Sequence, residues 1–115
     1  MDELEGFQRR HLRSLAHPLQ PVVMIGKEGL TEAVLAKTDQ ELLAHELIKV
    51  RFGDWKEEKR ALMAEMAEKL LAEVVGVGGH VGILFRQNRE PKKRNIRVPA
   101  RPRAQAGRAG GGGGT

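Results

Sequence analysis

Residues 22–52, VVMIGKEGLTEAVLAKTDQELLAHELIKVRF, contain the pattern that constrains the architecture most strongly. The apolar run at 22–25 is short and is followed by glycine, which predicts a buried strand. Thr31 is a suitable N-cap for a helix over about 31–45. In the closing letters ELIKVRF, apolar and basic residues alternate, which predicts a second strand with one face in the core. In this strand-helix-strand unit, and in a second one further along the chain, we expect parallel strands joined by a right-handed crossover.

Two further helices are predicted, one on each side of this unit. Upstream, apolar residues near helical spacing over 4–16 predict an amphipathic helix that ends before Pro18. Its basic residues fall largely on the outward face: Arg9, Arg10 and Arg13. Downstream, Asp54 and Glu57 resemble a capping box that would open a third helix. The apolar stripe of that helix consists of Met63, Met66, Ala67, Leu70 and Leu71.

A pair of short antiparallel strands is predicted in VVGVGGHVGILF, residues 74–85, with a tight turn at Gly79 and His80. The glycines weaken the strands and are typical of a bulge. The predicted fold class is therefore α/β, in the order α-β-α-β-α-β-β. We expect one compact domain over residues 1–99, with a four-stranded mixed sheet packed by three helices.

The charge of the chain is distributed unevenly. The 20 Lys+Arg and 15 Asp+Glu residues leave a net charge of +5. Eight basic residues and one acidic residue follow residue 86, which leaves residues 1–86 with 12 basic and 14 acidic side chains, a net charge of −2. The stretch RPRAQAGRAGGGGGT is of low complexity, and we expect residues 100–115 to form a disordered Arg/Gly-rich tail. Any basic surface within residues 1–86 must therefore be argued from local clusters.

Several function classes are disfavoured by the sequence. The chain has no cysteine, and its apolar runs are too short for a membrane span. Its four histidines lack metal-ligand spacing, although His45 and Glu46 superficially suggest an acid/base pair. Nucleophile motifs such as G-x-S-x-G are missing. We therefore expect a cytoplasmic monomer that binds no membrane, metal or cofactor and is not an enzyme.

The loop Gly26-Lys27-Glu28-Gly29 lies between the predicted strand and helix, where it could bind an anion. Amides at a helix start point outward, the helix dipole is positive there, and glycine allows close approach of a phosphate. The spacing fits neither a dinucleotide fingerprint nor a Walker loop, and it resembles the G-x-x-G loop of KH domains. The alternative is a turn that merely needs two glycines. Glu28 would repel phosphate unless it points away or pairs with a cation.

Basic residues on both sides of the loop favour an RNA surface. If the arginines of the first helix lie beside the loop, they form one continuous surface along a phosphate backbone. The predicted contacts are Gly26, Glu28 and Gly29 with six cations, Arg9, Arg10, Arg13, Lys27, Lys49 and Arg51. The phenylalanines of the strands fall at core positions, so a stacking platform is not expected. Trp55 is the single candidate for an exposed ring, and we expect it to be packed or half-buried.

The chain resembles the YhbY-like stand-alone CRM domain proteins of bacteria over about residues 7–99. The resemblance rests on HLRSLAHPLQPVVMIGKEGLTEAVL, on HELIKVRF, and on VGGHVGILFRQ followed by KKRNIRVP. It implies a fold related to the C-terminal domain of a bacterial translation initiation factor, and binding of ribosomal RNA during large-subunit maturation. By position, Gly26, Lys27 and Gly29 are the family's loop. Two departures are a shorter connection before the third strand and the glycine-rich third strand itself.

The alternative function is a protein-interaction or translation-factor-like adaptor with no direct RNA role. In that hypothesis the apolar helix faces dock a partner and the charge serves mainly solubility. A filter-binding titration separates the two hypotheses, because only the first predicts RNA affinity that salt weakens steeply.

Overall fold

The predicted order of elements, α-β-α-β-α-β-β, is confirmed in the computed structural model, which describes residues 4–100. The helices and strands are α1 (Gly6–Ala16), β1 (Pro21–Ile25), α2 (Glu32–His45), β2 (Leu47–Phe52), α3 (Lys59–Leu70), β3 (Glu73–Gly78) and β4 (Val81–Phe85). Short 3-10 turns lie at Lys56–Glu58 and Pro91–Lys93. Within residues 4–100, no helix is both long and apolar enough to span a membrane. Apart from Ala100, the predicted tail lies outside the described residues.

The four strands form one mixed sheet, as the sequence predicts, and their order in it is β1-β2-β4-β3. β1 and β2 are parallel, whereas β4 pairs antiparallel with both β2 and β3. Ile25 is the register partner of Phe52, so β1 and β2 end at the same edge of the sheet. The amides of Gly53 and Asp54 both donate to the carbonyl of Ile25, at 2.9 and 3.2 Å. The segments that follow the two strands are therefore held together.

Helices cover both faces of the sheet. On one face, α2 and α3 enclose the larger cluster, which consists of Val23, Ile25, Leu42, Ile48, Val50, Phe52, Met63, Met66, Ala67 and Leu84. On the other face, α1 packs against β2 and β3. The cluster on that face consists of Leu4, Leu12, Ala16, Leu47, Val75 and Phe85. Alternation along β2 therefore directs Lys49 and Arg51 to the α1 side, because their neighbours Ile48 and Val50 are buried on the other.

The bulge that the glycines of the third strand predict is present. Val74 and Gly76 pair with consecutive residues of β4, which leaves Val75 as the extra residue. Val75 is buried on the α1 face, whereas Val74 packs on the α2 and α3 face. The tight turn between the last two strands is also confirmed, with Gly79 at φ +58°. The glycines therefore reshape the hairpin without removing it.

The start of α3 differs from the prediction. Asp54 and Glu57 do not form a capping box, because Trp55 adopts a left-handed conformation (φ 58°, ψ 37°) and is followed by a 3-10 turn. The α-helix itself begins at Lys59. At its other end Leu71 is left-handed and 75% exposed, so it ends the helix and does not extend the apolar stripe. The actual capping box is at α1, between Glu5 and Gln8.

A buried carboxylate fastens the chain that follows β4. Glu46 is fully buried, and its side chain accepts hydrogen bonds from the amides of Asn88, Asn95 and Ile96. Ile96 packs against the α1-side cluster, and so does Val98. The side chain of Gln8 donates to the carbonyl of Pro99 at 3.0 Å. Residues 88–99, here called the C-terminal strap, are therefore part of the folded unit.

We predict that Gly82→Val destabilises the protein. Gly82 is buried beneath Met63, and an added Cβ would lie 2.9 Å from Met63 Cγ and closer still to its Sδ. Overpacking of this kind costs about 1–3 kcal/mol of unfolding free energy. Urea unfolding measures the change. The control is Gly78→Val on the neighbouring strand, where a Cβ meets nothing within 4 Å. Equal stability of the two variants would contradict the packing described here.

We predict that Glu46→Ala releases the C-terminal strap. The substitution leaves three amides without their acceptor, at a cost of about 3 kcal/mol of unfolding free energy. Trypsin should then cleave the strap at Arg89 and Lys92 faster than in the parent chain. Glu65→Ala is the control, because the Glu65 side chain is half exposed. Parental cleavage rates in Glu46→Ala would show that the strap is held by other contacts.

Candidate RNA interface

The loop Gly26–Gly29 forms a tight turn between β1 and α2. The amide of Gly29 donates to the carbonyl of Gly26 at 3.0 Å, and Gly29 lies at φ +71°, a conformation that favours glycine. Thr31 is the N-cap of α2, as predicted, and its hydroxyl accepts from the Val34 amide at 3.0 Å. The two glycines thus differ in role, because only the second requires a positive φ.

The loop tip faces solvent. Gly26, Lys27 and Glu28 are exposed, whereas Gly29 is buried. A Cβ added to Gly26 would meet nothing within 4 Å. Within the described part of the chain, the amides of Lys27 and Glu28 donate to no protein acceptor, and Glu28 forms no ion pair. Two peptide N–H groups and one ammonium group are therefore available at this tip.

Trp55 braces the loop from the segment that follows β2. Its indole N–H donates to the carbonyl of Lys27 at 3.0 Å. The ring lies against Gly29, where an added Cβ would be 3.5 Å from the indole nitrogen. The sequence indicates a half-buried residue here, and the side chain is 45% exposed. Its contact with the loop is missed from sequence because the apparent capping box places Trp55 inside a helix start.

The arginines of α1 lie over the far side of the sheet. Arg9 Nε donates to the carbonyl of Val74 at 3.5 Å, and Arg13 donates to that of Val75 at 3.3 Å. Both acceptors belong to β3, three strands away from β1, which corresponds to about 14 Å. The structure therefore does not bring Arg9 and Arg13 beside Lys27. Arg13 instead packs against β3 at Gly76, where an added Cβ would lie 3.0 Å from Arg13 Cδ.

Lys49 and Arg51 lie on the strand between these two regions. Lys49 Nζ donates to the carbonyl of His17 at 2.9 Å, which holds it against the C-terminal end of α1. Arg51 is exposed and is flanked across the sheet by its register partners Met24 and Val81. The predicted basic surface can therefore connect the loop with α1 only across β2. Arg51 is the exposed cation at the middle of that path.

The six predicted cations fall into two groups. Arg10, Lys27 and Arg51 are exposed and, within residues 4–100, form no ion pair. The others donate to backbone carbonyls, which hold the side chains in place: Arg9, Arg13 and Lys49. The α1 side of the sheet therefore carries both fixed and mobile positive charges.

The neighbours His45 and Glu46 do not form an acid/base pair. Glu46 is buried and bound to three amides, whereas the exposed His45 lies 3.5 Å from a carboxylate oxygen of Glu41. Among residues 4–100, no group of three or more His, Asp or Glu side chains is arranged to hold a metal ion. The chemistry that the described residues offer is hydrogen bonding and charge.

Known proteins share both the sequence and the fold of this chain. Residues 4–86 match the CRS1 / YhbY (CRM) domain. An RNA-binding protein of Haemophilus influenzae is 41% identical over 93 residues, which cover 80% of this chain and 94% of that protein. A protein of Methanocaldococcus jannaschii, also named for RNA binding, is 43% identical over 105 residues, which cover 84% of this chain and 74% of the relative.

A solved structure supports the same relationship. The solution structure of a Staphylococcus aureus protein, itself a candidate for RNA binding, has a TM-score of 0.70 and 35% identity. The match covers 84% of this chain and 99% of that one. The resemblance stated from the sequence motifs is thereby confirmed, and so is the predicted α/β fold with three helices and a four-stranded mixed sheet. This chain belongs to the CRS1/YhbY family of CRM domain proteins.

Proposed function

We propose that this protein binds RNA through the loop Gly26–Gly29 and the α1 side of the sheet. The observation that carries the proposal is the exposed loop tip, where two unpartnered amides accompany the Lys27 ammonium group. Relatives named as RNA-binding proteins support the same conclusion. The proposed target is ribosomal RNA or a pre-ribosomal particle during large-subunit assembly, and this finer part rests on the family resemblance.

The loop would act as a clamp on one phosphate. Its amides and the positive end of the α2 dipole attract an anion, and Lys27 adds a mobile charge. Because Gly26 is exposed and Gly29 is buried, the phosphate would approach at Gly26. Glu28 is exposed and can turn toward solvent, so it need not oppose the bound phosphate.

The remaining cations would bind successive phosphates of the RNA backbone along the sheet. Arg51 lies between the loop and the arginines of α1, so a bound strand would pass from Lys27 over Arg51 toward Arg10. Hydrogen bonds to backbone carbonyls already hold the side chains of Lys49, Arg9 and Arg13. Charges that are fixed before binding lose less side-chain entropy when the RNA arrives.

The proposed role is non-catalytic and requires no cofactor. It also includes a cytoplasmic location and a monomeric state. The folded unit is proposed to end near residue 99, where the Gln8 side chain binds the carbonyl of Pro99. Residues 100–115 would then act as a basic tether for RNA.

The adaptor hypothesis has less surface to act through. The apolar faces of α2 and α3 are largely buried against the sheet, which leaves Leu43 exposed on α2 and Leu71 exposed just after α3. A salt titration of RNA affinity distinguishes this hypothesis from the proposed one, because an adaptor would show no RNA affinity worth measuring.

We predict that Gly26→Asp weakens RNA binding by roughly tenfold, because it puts a carboxylate where the phosphate would approach. Gly26 lies outside the positive-φ region and has open space around it, so the fold should be unaffected. Filter binding with a ribosomal RNA fragment measures the affinity. Gly26→Ala is the matched control, and Gly29→Asp is less suitable because φ +71° adds strain. Equal affinity of the Asp and Ala variants would count against the clamp.

We predict that removing residues 100–115 lowers the salt dependence of RNA binding. The truncation removes three arginines, Arg101, Arg103 and Arg108, and should reduce the log–log slope of affinity against salt by at most about two. The control is a truncation of residues 109–115, which contain no charged side chain. If the longer truncation leaves the slope unchanged, the tail is no tether.

A further inference from the structure

Trp55 is exposed, whereas both phenylalanines of the sheet are buried. Phe52 and Phe85 are 1% and 0% exposed, whereas Trp55 is 45% exposed. It is also the only tryptophan in the chain. Apolar surface of this ring stays in contact with water, so a partner that covers the ring would gain the free energy of burying it.

The ring is held in one orientation beside the loop. The indole N–H donates to the carbonyl of Lys27 at 3.0 Å, and the ring lies against Gly29. The backbone of Trp55 is left-handed, a conformation that costs a bulky residue energy and persists only where the surrounding structure holds it. One edge of the indole is thus committed to the loop, and the exposed remainder offers ring surface for stacking.

An open depression of about 470 Å³ adjoins the ring, large enough for a nucleotide. Lys27 and Lys56 line it together with three carboxylates, Asp54, Glu57 and Glu58. The carboxylates repel phosphate, so an RNA backbone would stay on the loop side of the depression. They are also acceptors for the amino hydrogens of a nucleobase. A neutral base fits this depression better than a phosphate does.

We propose that Trp55 stacks on an unpaired base of the RNA whose phosphate is bound by the adjacent loop. This inference rests on the proposed function and specifies the substrate class, namely RNA with a single-stranded nucleotide at the contact point. In a duplex both faces of a base are covered by its neighbours, so only an unpaired or flipped base can reach the indole. Base–aromatic stacking does not depend on a particular sequence.

The first test uses the emission of Trp55 itself, which has no background from other tryptophans. The intact chain is titrated with a single-stranded oligoadenylate and with duplex RNA of the same number of phosphates, at the same salt concentration. Stacking predicts quenching by the oligoadenylate and little change with the duplex. Equal emission changes for the two RNAs, or no change for either, would overturn the proposal.

The second test separates stacking from bracing of the loop. Trp55→Leu and Trp55→Phe both lose the hydrogen bond to the Lys27 carbonyl, but only Phe keeps a ring. We expect Trp55→Leu to weaken oligoadenylate binding about 5- to 150-fold and Trp55→Phe to retain most of the affinity. Thermal unfolding checks that both variants fold. An equal loss in the two folded variants would mean that Trp55 only braces the loop, and would overturn the proposal.

These outcomes are distinguishable from failure of the proposed function. Absence of salt-dependent affinity for either RNA would overturn both proposals. Salt-dependent binding that Gly26→Asp weakens and Trp55→Leu leaves unchanged would overturn the stacking site alone.

Discussion

The parallel pairing of β1 with β2 is the constraint on which the candidate site depends. Because the two strands end in register at Ile25 and Phe52, the amides of Gly53 and Asp54 reach the carbonyl of Ile25. That contact brings Trp55 against the loop that leaves β1. An exposed turn held on one side only by its own hydrogen bonds would be mobile, whereas this turn is supported by a second segment far along the chain.

The same sheet separates the charges that the sequence places close together. The β3–β4 hairpin extends the sheet beyond β2, and α1 crosses that extension, so Arg9 and Arg13 contact the far edge strand. Their carbonyl acceptors hold them, and Lys49 is held in the same way. The result is a row of fixed charges at a distance from a loop with one mobile lysine.

Much of the fold is predictable because its signals are local. Thr31 caps a helix with its own hydroxyl, and the glycine turn before β4 follows from backbone freedom. The start of α3 is not predictable in this way. Asp54 and Glu57 have the spacing of a capping box, but the contact of Trp55 with Lys27 accompanies a left-handed backbone that breaks the helix start. That contact joins residues 28 positions apart, beyond the reach of a local pattern.

The sequence by itself determined the order of elements, the parallel unit, the G-x-x-G loop and the family. These depend on periodicity, turn chemistry and motif, which are properties of neighbouring residues. Tertiary structure alone decided where each cation lies relative to the loop, how Trp55 is oriented, and that Glu46 binds the C-terminal strap. The physical reason is that these features need segments remote in sequence to meet at hydrogen-bonding distance, and only the packed sheet sets those distances.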